Sequence, residues 1–181
     1  DWAALGWTDI NYFNPYAQIA ILWTREVITD SNLKNLAQLN LMIKDRDERL
    51  LFVHSTPRQP EEWNYIFTLE EAEENFSSFT EKACFIGHSH YPSFIEKNEK
   101  SRLAAKPGPL LRLEQGCQYI INVGSVGQPR DGDPRACYAI YDSSSGTIKL
   151  KRIVYDIAKT QEKMQAAGLP LYLIERLALG R

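Results

Sequence analysis

The chain has 181 residues, enough for one compact domain with a proper core, and 44% apolar and 24% charged residues suit a soluble globular protein. A formal charge of −2 gives no global field towards a nucleic-acid polymer or an anionic membrane. A phosphate-bearing ligand would have to be held by local cations or metal ions.

Asn14-Pro15 reads as an N-cap and first helical position, opening a helix through Ala17–Trp23 towards Ile28. Asp30-Ser31 offers the cap for a second helix, with Leu33, Leu36 and Leu39 on one side. Leu50-Leu51-Phe52-Val53 is short and wholly apolar, as expected of a strand buried on both faces. Thr68-Leu69-Glu70-Glu71 has capping-box spacing and predicts an acidic helix to about Phe79. Ala83-Cys84-Phe85-Ile86 is a second buried strand, and Tyr91 to Glu96 reads as extended.

After the break at Lys106-Pro107-Gly108-Pro109, Leu110–Leu113 and Cys117–Val123 read as two strands joined across Glu114-Gln115-Gly116. Tyr138–Tyr141 and Ile148–Val154 form a hairpin about Ser143–Gly146. Asp156 caps a helix that stops at Gly168-Leu169-Pro170, and a short helix runs on to Leu179. Helices first, then helix and strand in alternation, then strands: the pattern is a layered α/β protein in a single domain.

Cys84, Cys117 and Cys137 are odd in number and contain no CxxC pair, which argues against a disulfide framework or a structural zinc site. Their default role is packing. A reducing compartment fits best, so the expected location is cytoplasmic. No apolar run approaches a membrane span.

The chain has three histidines, and each comes just after a predicted strand. His54 succeeds Leu50–Val53, while His88 and His90 succeed Ala83–Ile86 through Gly87, which is expected to allow a sharp turn. The strand Cys117–Val123 runs into Gly124-Ser125-Val126-Gly127-Gln128-Pro129-Arg130. Ligands of open α/β sheets collect at the carboxyl ends of strands. Neutral imidazole binds Mn, Fe, Zn and Ni. Two histidines at i and i+2 can lean towards one ion or straddle two, and a pair of ions roughly 3.5–4 Å apart can clamp a phosphoryl group. The plain alternative is that each histidine makes an ordinary hydrogen bond, and for His54 alone that reading is preferred.

Gly87-His88-Ser89-His90 resembles the Gly-His-[Ser/Thr]-His motif of calcineurin-like metallophosphoesterases. Val53-His54-Ser55-Thr56-Pro57-Arg58 is similar to their Val-His-Gly-[Ser/Thr]-Pro segment, with Ser55 in place of glycine. Asn122-Val123-Gly124-Ser125 resembles their Asn-Pro-Gly-Ser loop, with valine in the proline position. The tail from Tyr155-Asp156-Ile157 to Leu179-Gly180-Arg181 fits a prokaryotic branch often described as diadenosine-tetraphosphatase-like or protein-phosphatase-like.

The resemblance implies a four-layer αββα sandwich and two divalent ions, manganese first, with iron, zinc or nickel open. It implies His54 and His88 on one ion and His90 on the other, with in-line attack on phosphorus by hydroxide activated at the metal centre. The substrate would be a small-molecule phosphate ester, mono- or diester, or a phosphoprotein.

The family's Asp-x-His near its start, the Gly-Asp in its next strand and its Gly-Asn-His-[Asp/Glu] motif have no counterpart before His54 in residues 1–181. Asp1-Trp2-Ala3 fits the position immediately after Gly-Asn-His, which makes Asp1 the acid that supports the preceding motif histidine. The expectation is the C-terminal portion of such a domain, inactive alone and with an exposed sheet edge. Two other readings stay open: a non-catalytic metal- or partner-binding module, and a nucleotide-binding regulator with a relict site.

Arg58, Arg130 and Arg135 lie in loops where a guanidinium could grip phosphate, and Arg130 is the best placed. Against that stands pairing with Asp131 or Asp133. Ser125 is read as part of a plain turn rather than an anion nest.

Overall fold

A computed structural model describes residues 1–181. Helices α1 (Trp2–Leu5), α2 (Pro15–Val27) and α3 (Asp30–Ala37) precede strands β1 (Met42–Asp45) and β2 (Leu50–Val53). Helix α4 (Leu69–Phe76) leads to β3 (Ala83–Ile86), β4 (Ser93–Lys97), β5 (Leu103–Lys106), β6 (Leu110–Arg112) and β7 (Gln118–Asn122). The hairpin β8 (Ala136–Asp142) and β9 (Thr147–Ile153) comes next, and α5 (Ile157–Ala166) and α6 (Leu171–Leu179) close the order. The chain divides into a helical unit, residues 1–40 and 156–179, and a sheet unit, residues 41–155 with 180–181.

In the helical unit the predicted caps are mostly in place. The Asn14 side chain accepts from the Ala17 N–H with Pro15 beside it, and Asp156 accepts from the Lys159 N–H. The second helix starts one residue earlier than expected: Thr29 is its N-cap, accepting from the Asn32 N–H, and Asp30 falls in the first turn. The Thr29 backbone is extended, which aims its hydroxyl back at the turn. Arg25 donates twice to the Ala3 carbonyl, and Tyr16 stacks on Tyr172 at 5.0 Å.

The sheet unit is built on a six-stranded sheet of order β1-β2-β3-β7-β4-β5. Its centre, β2, β3 and β7, is parallel, which explains the unbroken apolar runs; β1, β4 and β5 join antiparallel. Alternate residues point to opposite faces. Leu51, Cys84, Ile86 and Ile120 meet Ala72, Phe76 and Phe79 on the helix α4 side. Leu50, Phe85, Phe94, Tyr119 and Ile121 meet Leu111 and Ile148 of the second sheet. Each Leu, Ile or Phe among them, once fully buried, contributes about 1.5–3 kcal/mol. The layered α/β expectation therefore holds: helix α4, six-stranded sheet and three-stranded sheet lie in succession.

The strands expected at Leu110–Leu113 and Cys117–Val123 form and are joined across Glu114-Gln115-Gly116, but they do not pair with each other: β6 pairs with β9 in the three-stranded sheet β6-β9-β8, whereas β7 sits between β3 and β4. The turn between them carries the chain from one layer to the other. Helix α4 has its full capping box, yet it ends at Phe76 with Ser77 as C-cap; Phe79 is buried beyond the helix.

Candidate metal centre

The parallel strands deliver His54 and the His88–His90 turn to the same end of the six-stranded sheet. The β2–β3 ladder runs one step past the strands, because the Gly87 N–H donates to the His54 carbonyl at 2.9 Å. That bond seats the two histidine segments side by side. The Val123 N–H donates to the Ile86 carbonyl in the same way, bringing the glycine-rich loop alongside.

The turn is sharp, but Gly87 is not what allows it. His88 and His90 themselves take left-handed backbone, at φ 57° and 59°. A Cβ on Gly87 would meet only ordinary contact with the His54 carbonyl, at 3.7 Å. Two non-glycine residues in this region in one turn amount to strain of about 1–3 kcal/mol each. The surrounding structure must hold it.

Asn122, at the end of β7 and only 1% exposed, does the holding. Its Nδ2 donates to the Gly87 carbonyl at 2.7 Å and to the Ser89 Oγ at 2.8 Å. Its Oδ1 accepts from the Gly124 N–H at 2.9 Å. One buried amide thus pins both sides of His88 and the start of the next loop. Gly124 has no alternative there: its φ is +77°, and a Cβ would lie 2.8 Å from the Cys137 Cβ.

The ring contacts define the chemistry. His88 Nδ1 faces His54 Nε2 at 3.3 Å, and His88 Nε2 lies 2.9 Å from the Trp63 carbonyl oxygen. A carbonyl can only accept, so the His88 proton sits on Nε2 and Nδ1 presents a lone pair to His54. Two neutral imidazoles can face each other this way on two terms. Either His54 donates its proton to His88, or both lone pairs aim at a shared cation. Two imidazole nitrogens bound tetrahedrally to one ion at 2.0–2.1 Å lie about 3.3 Å apart. The donor pair fits a metal.

His90 is fixed by the same device with the nitrogens exchanged. Its Nδ1 is 2.6 Å from the Gln128 carbonyl, which leaves Nε2 as the lone-pair nitrogen. A second ring nitrogen engaged by a backbone carbonyl is the usual outer support of a metal-bound histidine. Both His54 and His88 are pushed to titrate lower than an ordinary imidazole, first by burial. For His88, where the neighbouring His54 charge adds, the value falls to about 4. Neutral rings are the form that binds metal.

The three rings do not make one preformed ligand set: no group of three His, Cys, Asp or Glu side chains is placed to hold an ion. His54 and His88 form a pair, and His90 stands on its own carbonyl. Asp1 belongs to the helical unit, at the N-cap of α1, where its side chain makes no capping bond. Arg130 is close at hand, since its N–H donates to the His90 carbonyl at 3.2 Å and its Nη2 to Gln128 Oε1 at 3.0 Å.

The other two arginines are committed to acids, Arg58 to Glu74 and Arg135 to Asp133. The Asp133 carboxyl is held down to about 2, chiefly by the Arg135 hydrogen bond. Ser125 accepts from the Gly127 and Gln128 N–H groups, which makes it a turn former.

Four contributors escape a reading of the sequence alone. Asn122 has no role there beyond its place in the loop motif, although a lone amide ending the apolar run Tyr119-Ile120-Ile121 is itself a signal. The Trp63 and Gln128 carbonyls carry no side-chain signal at all. Tyr65, stacked on His88 at 4.2 Å and 12°, lies in a loop whose path only the fold reveals.

Comparison with known proteins bears on the same segments. The model of the calcineurin-like phosphoesterase superfamily domain matches residues 26–146. An uncharacterized protein of Methanocaldococcus jannaschii is 41% identical over the whole chain, which spans 73% of that relative. The crystal structure of a metallophosphoesterase from Sphaerobacter thermophilus superposes with a TM-score of 0.85 at 38% identity, over 99% of this chain and 74% of that one. A hypothetical protein of Pyrococcus horikoshii OT3 shares the fold alone, at TM-score 0.73 and 14% identity over 98% and 69% of the two chains. No helix is long and apolar enough to cross a membrane.

Proposed function

Because the chain belongs to the calcineurin-like phosphoesterase superfamily, we propose that its histidine turn serves metal-dependent hydrolysis of phosphate esters, mono- or diesters. The observation that carries this reading is the approach of His88 Nδ1 to His54 Nε2, 3.3 Å apart, with His88 locked in its tautomer by the Trp63 carbonyl. His54 and His88 would hold one divalent ion and His90 Nε2 would offer a ligand to a second, with manganese the first to test. Such ions lower the pKa of water and stabilise charge developing on phosphoryl oxygens.

The chain's own residues do the rest. Asn122 keeps the turn in its strained shape, Gln128 and Trp63 orient the rings, and Arg130 stands where a guanidinium can reach a phosphate oxygen. Three reduced cysteines suit a cytoplasmic setting. A second reading, a non-catalytic cation-binding module, is favoured by one feature: no carboxylate joins the histidine pair. On this account residues 1–181 alone bind one ion without turnover.

One assay separates the two readings. Full-length protein is given bis(p-nitrophenyl) phosphate with Mn2+ and with EDTA. Hydrolysis that needs the metal and disappears in His88→Ala supports the esterase. Metal uptake without turnover supports the module, and hydrolysis indifferent to chelator refutes the proposal.

A further inference from the structure

Beside the histidine pair, the loop Trp63-Asn64-Tyr65-Ile66-Phe67 builds a ladder of aromatic rings. The Tyr65 ring lies 4.2 Å from that of His88 at 12°, and the Phe67 ring lies 5.5 Å from that of Tyr65 at 18°. Ile66 between them points into the core, so the two rings are thrown outward; Tyr65 is 43% exposed and Phe67 63%. The loop is held rigid at its end. The Phe67 N–H donates to Glu71 Oε2 at 2.6 Å as part of the cap of α4. Large apolar rings fixed in solvent stand open to a further planar group.

A polar groove of about 560 Å³ runs along this ladder, lined by Arg58, Gln59 and Asn64 as well as the two rings. Gln59 Nε2 and Asn64 Nδ2 both donate to the Glu62 carboxylate, at 2.8 and 3.0 Å. One N–H of each amino group is thus taken by Glu62, and their carbonyl oxygens remain as acceptors. Acceptors beside an aromatic face suit a base that carries an exocyclic amino group.

We propose that this ladder and groove form a binding subsite for the nucleobase of a nucleoside phosphate whose phosphate sits at the histidine pair. The placing of the phosphate rests on the esterase reading above; the stacking does not. The geometry also selects the kind of aromatic ligand. A ring added to Phe67 is two stacking steps from His88, so ring and phosphate must be separated by a spacer. A sugar supplies one, whereas an aryl phosphate has its ring directly on the ester oxygen. Stacking of a base on an exposed aromatic side chain corresponds to about five- to hundred-fold in affinity.

The test uses full-length protein and three probes in the presence of Mn2+: adenosine monophosphate, ribose 5-phosphate and phenyl phosphate. Adenosine without phosphate is observed separately, by saturation-transfer NMR. The nucleotide is expected to bind at least fivefold tighter than the sugar phosphate, and Phe67→Ala to bring that ratio close to one while Mn2+ uptake persists. Phenyl phosphate should not respond to Phe67→Ala. Adenosine should show saturation transfer to its base protons that the substitution abolishes.

Equal affinity for nucleotide and sugar phosphate, or an adenosine signal unaffected by Phe67→Ala, overturns the subsite. If Mn2+ is not taken up but the adenosine signal behaves as expected, the metal reading fails and the stacking platform survives. If Mn2+ binds and adenosine gives no signal, the reverse holds.

Discussion

The two ends of the six-stranded sheet are both polar, and they are polar in different ways. At the amino end of the parallel strands, charges find one another. Lys82 donates to Glu48 at 3.2 Å, the Tyr141 hydroxyl donates to the same carboxylate at 2.9 Å, and Gln118 spans the Phe79 and Glu81 carbonyls. At the carboxyl end the Trp63 and Gln128 carbonyls each hold one ring nitrogen of His88 and His90, and His88 Nδ1 faces His54 Nε2 at 3.3 Å. The cavity at the amino end, about 680 Å³ and lined by Arg49, Lys82 and Tyr141 among others, is larger than the groove of about 560 Å³ by Tyr65. Size does not mark the site. What marks it is a cluster of imidazoles oriented by backbone carbonyls, at the cost of two residues in left-handed backbone.

The contrast can be broken by substitutions at either end. The largest effect is expected from His88→Ala, which removes one of the two proposed ligands outright. Mn2+ affinity measured by titration calorimetry should fall by more than about a hundredfold, beyond the loss typical of outer-shell changes, with the far-ultraviolet circular dichroism unchanged. Retained affinity would mean that the pair does not hold the ion.

Asn122→Leu should come next. It strips a buried amide from three partners, leaving the Gly124 N–H unpaired and the Gly87 carbonyl with the Ser89 N–H alone, at about 1–3 kcal/mol in urea unfolding. The histidine turn then relaxes, and Mn2+ affinity of the still-folded fraction should drop by about ten- to a hundred-fold. A loss of stability with unchanged metal affinity would reduce Asn122 to a core residue.

Tyr141→Phe should do least. Lys82 still reaches Glu48, so about 0.5–1.5 kcal/mol of stability goes and metal binding stays as it was. A metal effect from that end of the sheet would erase the distinction.

Much of this is legible in the residues because the strands that carry the site are the buried ones. Leu50–Val53 and Ala83–Ile86 are uniform apolar runs, and each leads to a histidine. Thr68 and Glu71 announce helix α4 by their spacing alone. Edge strands are harder to read. Met42-Ile43-Lys44-Asp45 keeps Ile43 largely exposed, so it shows no clean alternation, and Leu103-Ala104-Ala105-Lys106 has a composition closer to a helix. Two β-rich segments, β6 and β7, look alike in sequence yet enter different sheets, because pairing is decided by tertiary contacts. In the site, the histidines are visible as residue types. Their tautomers depend on main-chain oxygens of Trp63 and Gln128, which any residue would supply, and the left-handed backbone falls on His88 and His90 rather than on the neighbouring glycine.

Anomalous diffraction from crystals of the full-length protein soaked in Mn2+ puts the matter most directly. A manganese peak is predicted about 2.0–2.2 Å from both His54 Nε2 and His88 Nδ1, with His88 Nε2 still bonded to the Trp63 carbonyl. A peak elsewhere, or a His88 ring turned so that Nδ1 no longer faces His54, would contradict the shared-ion geometry.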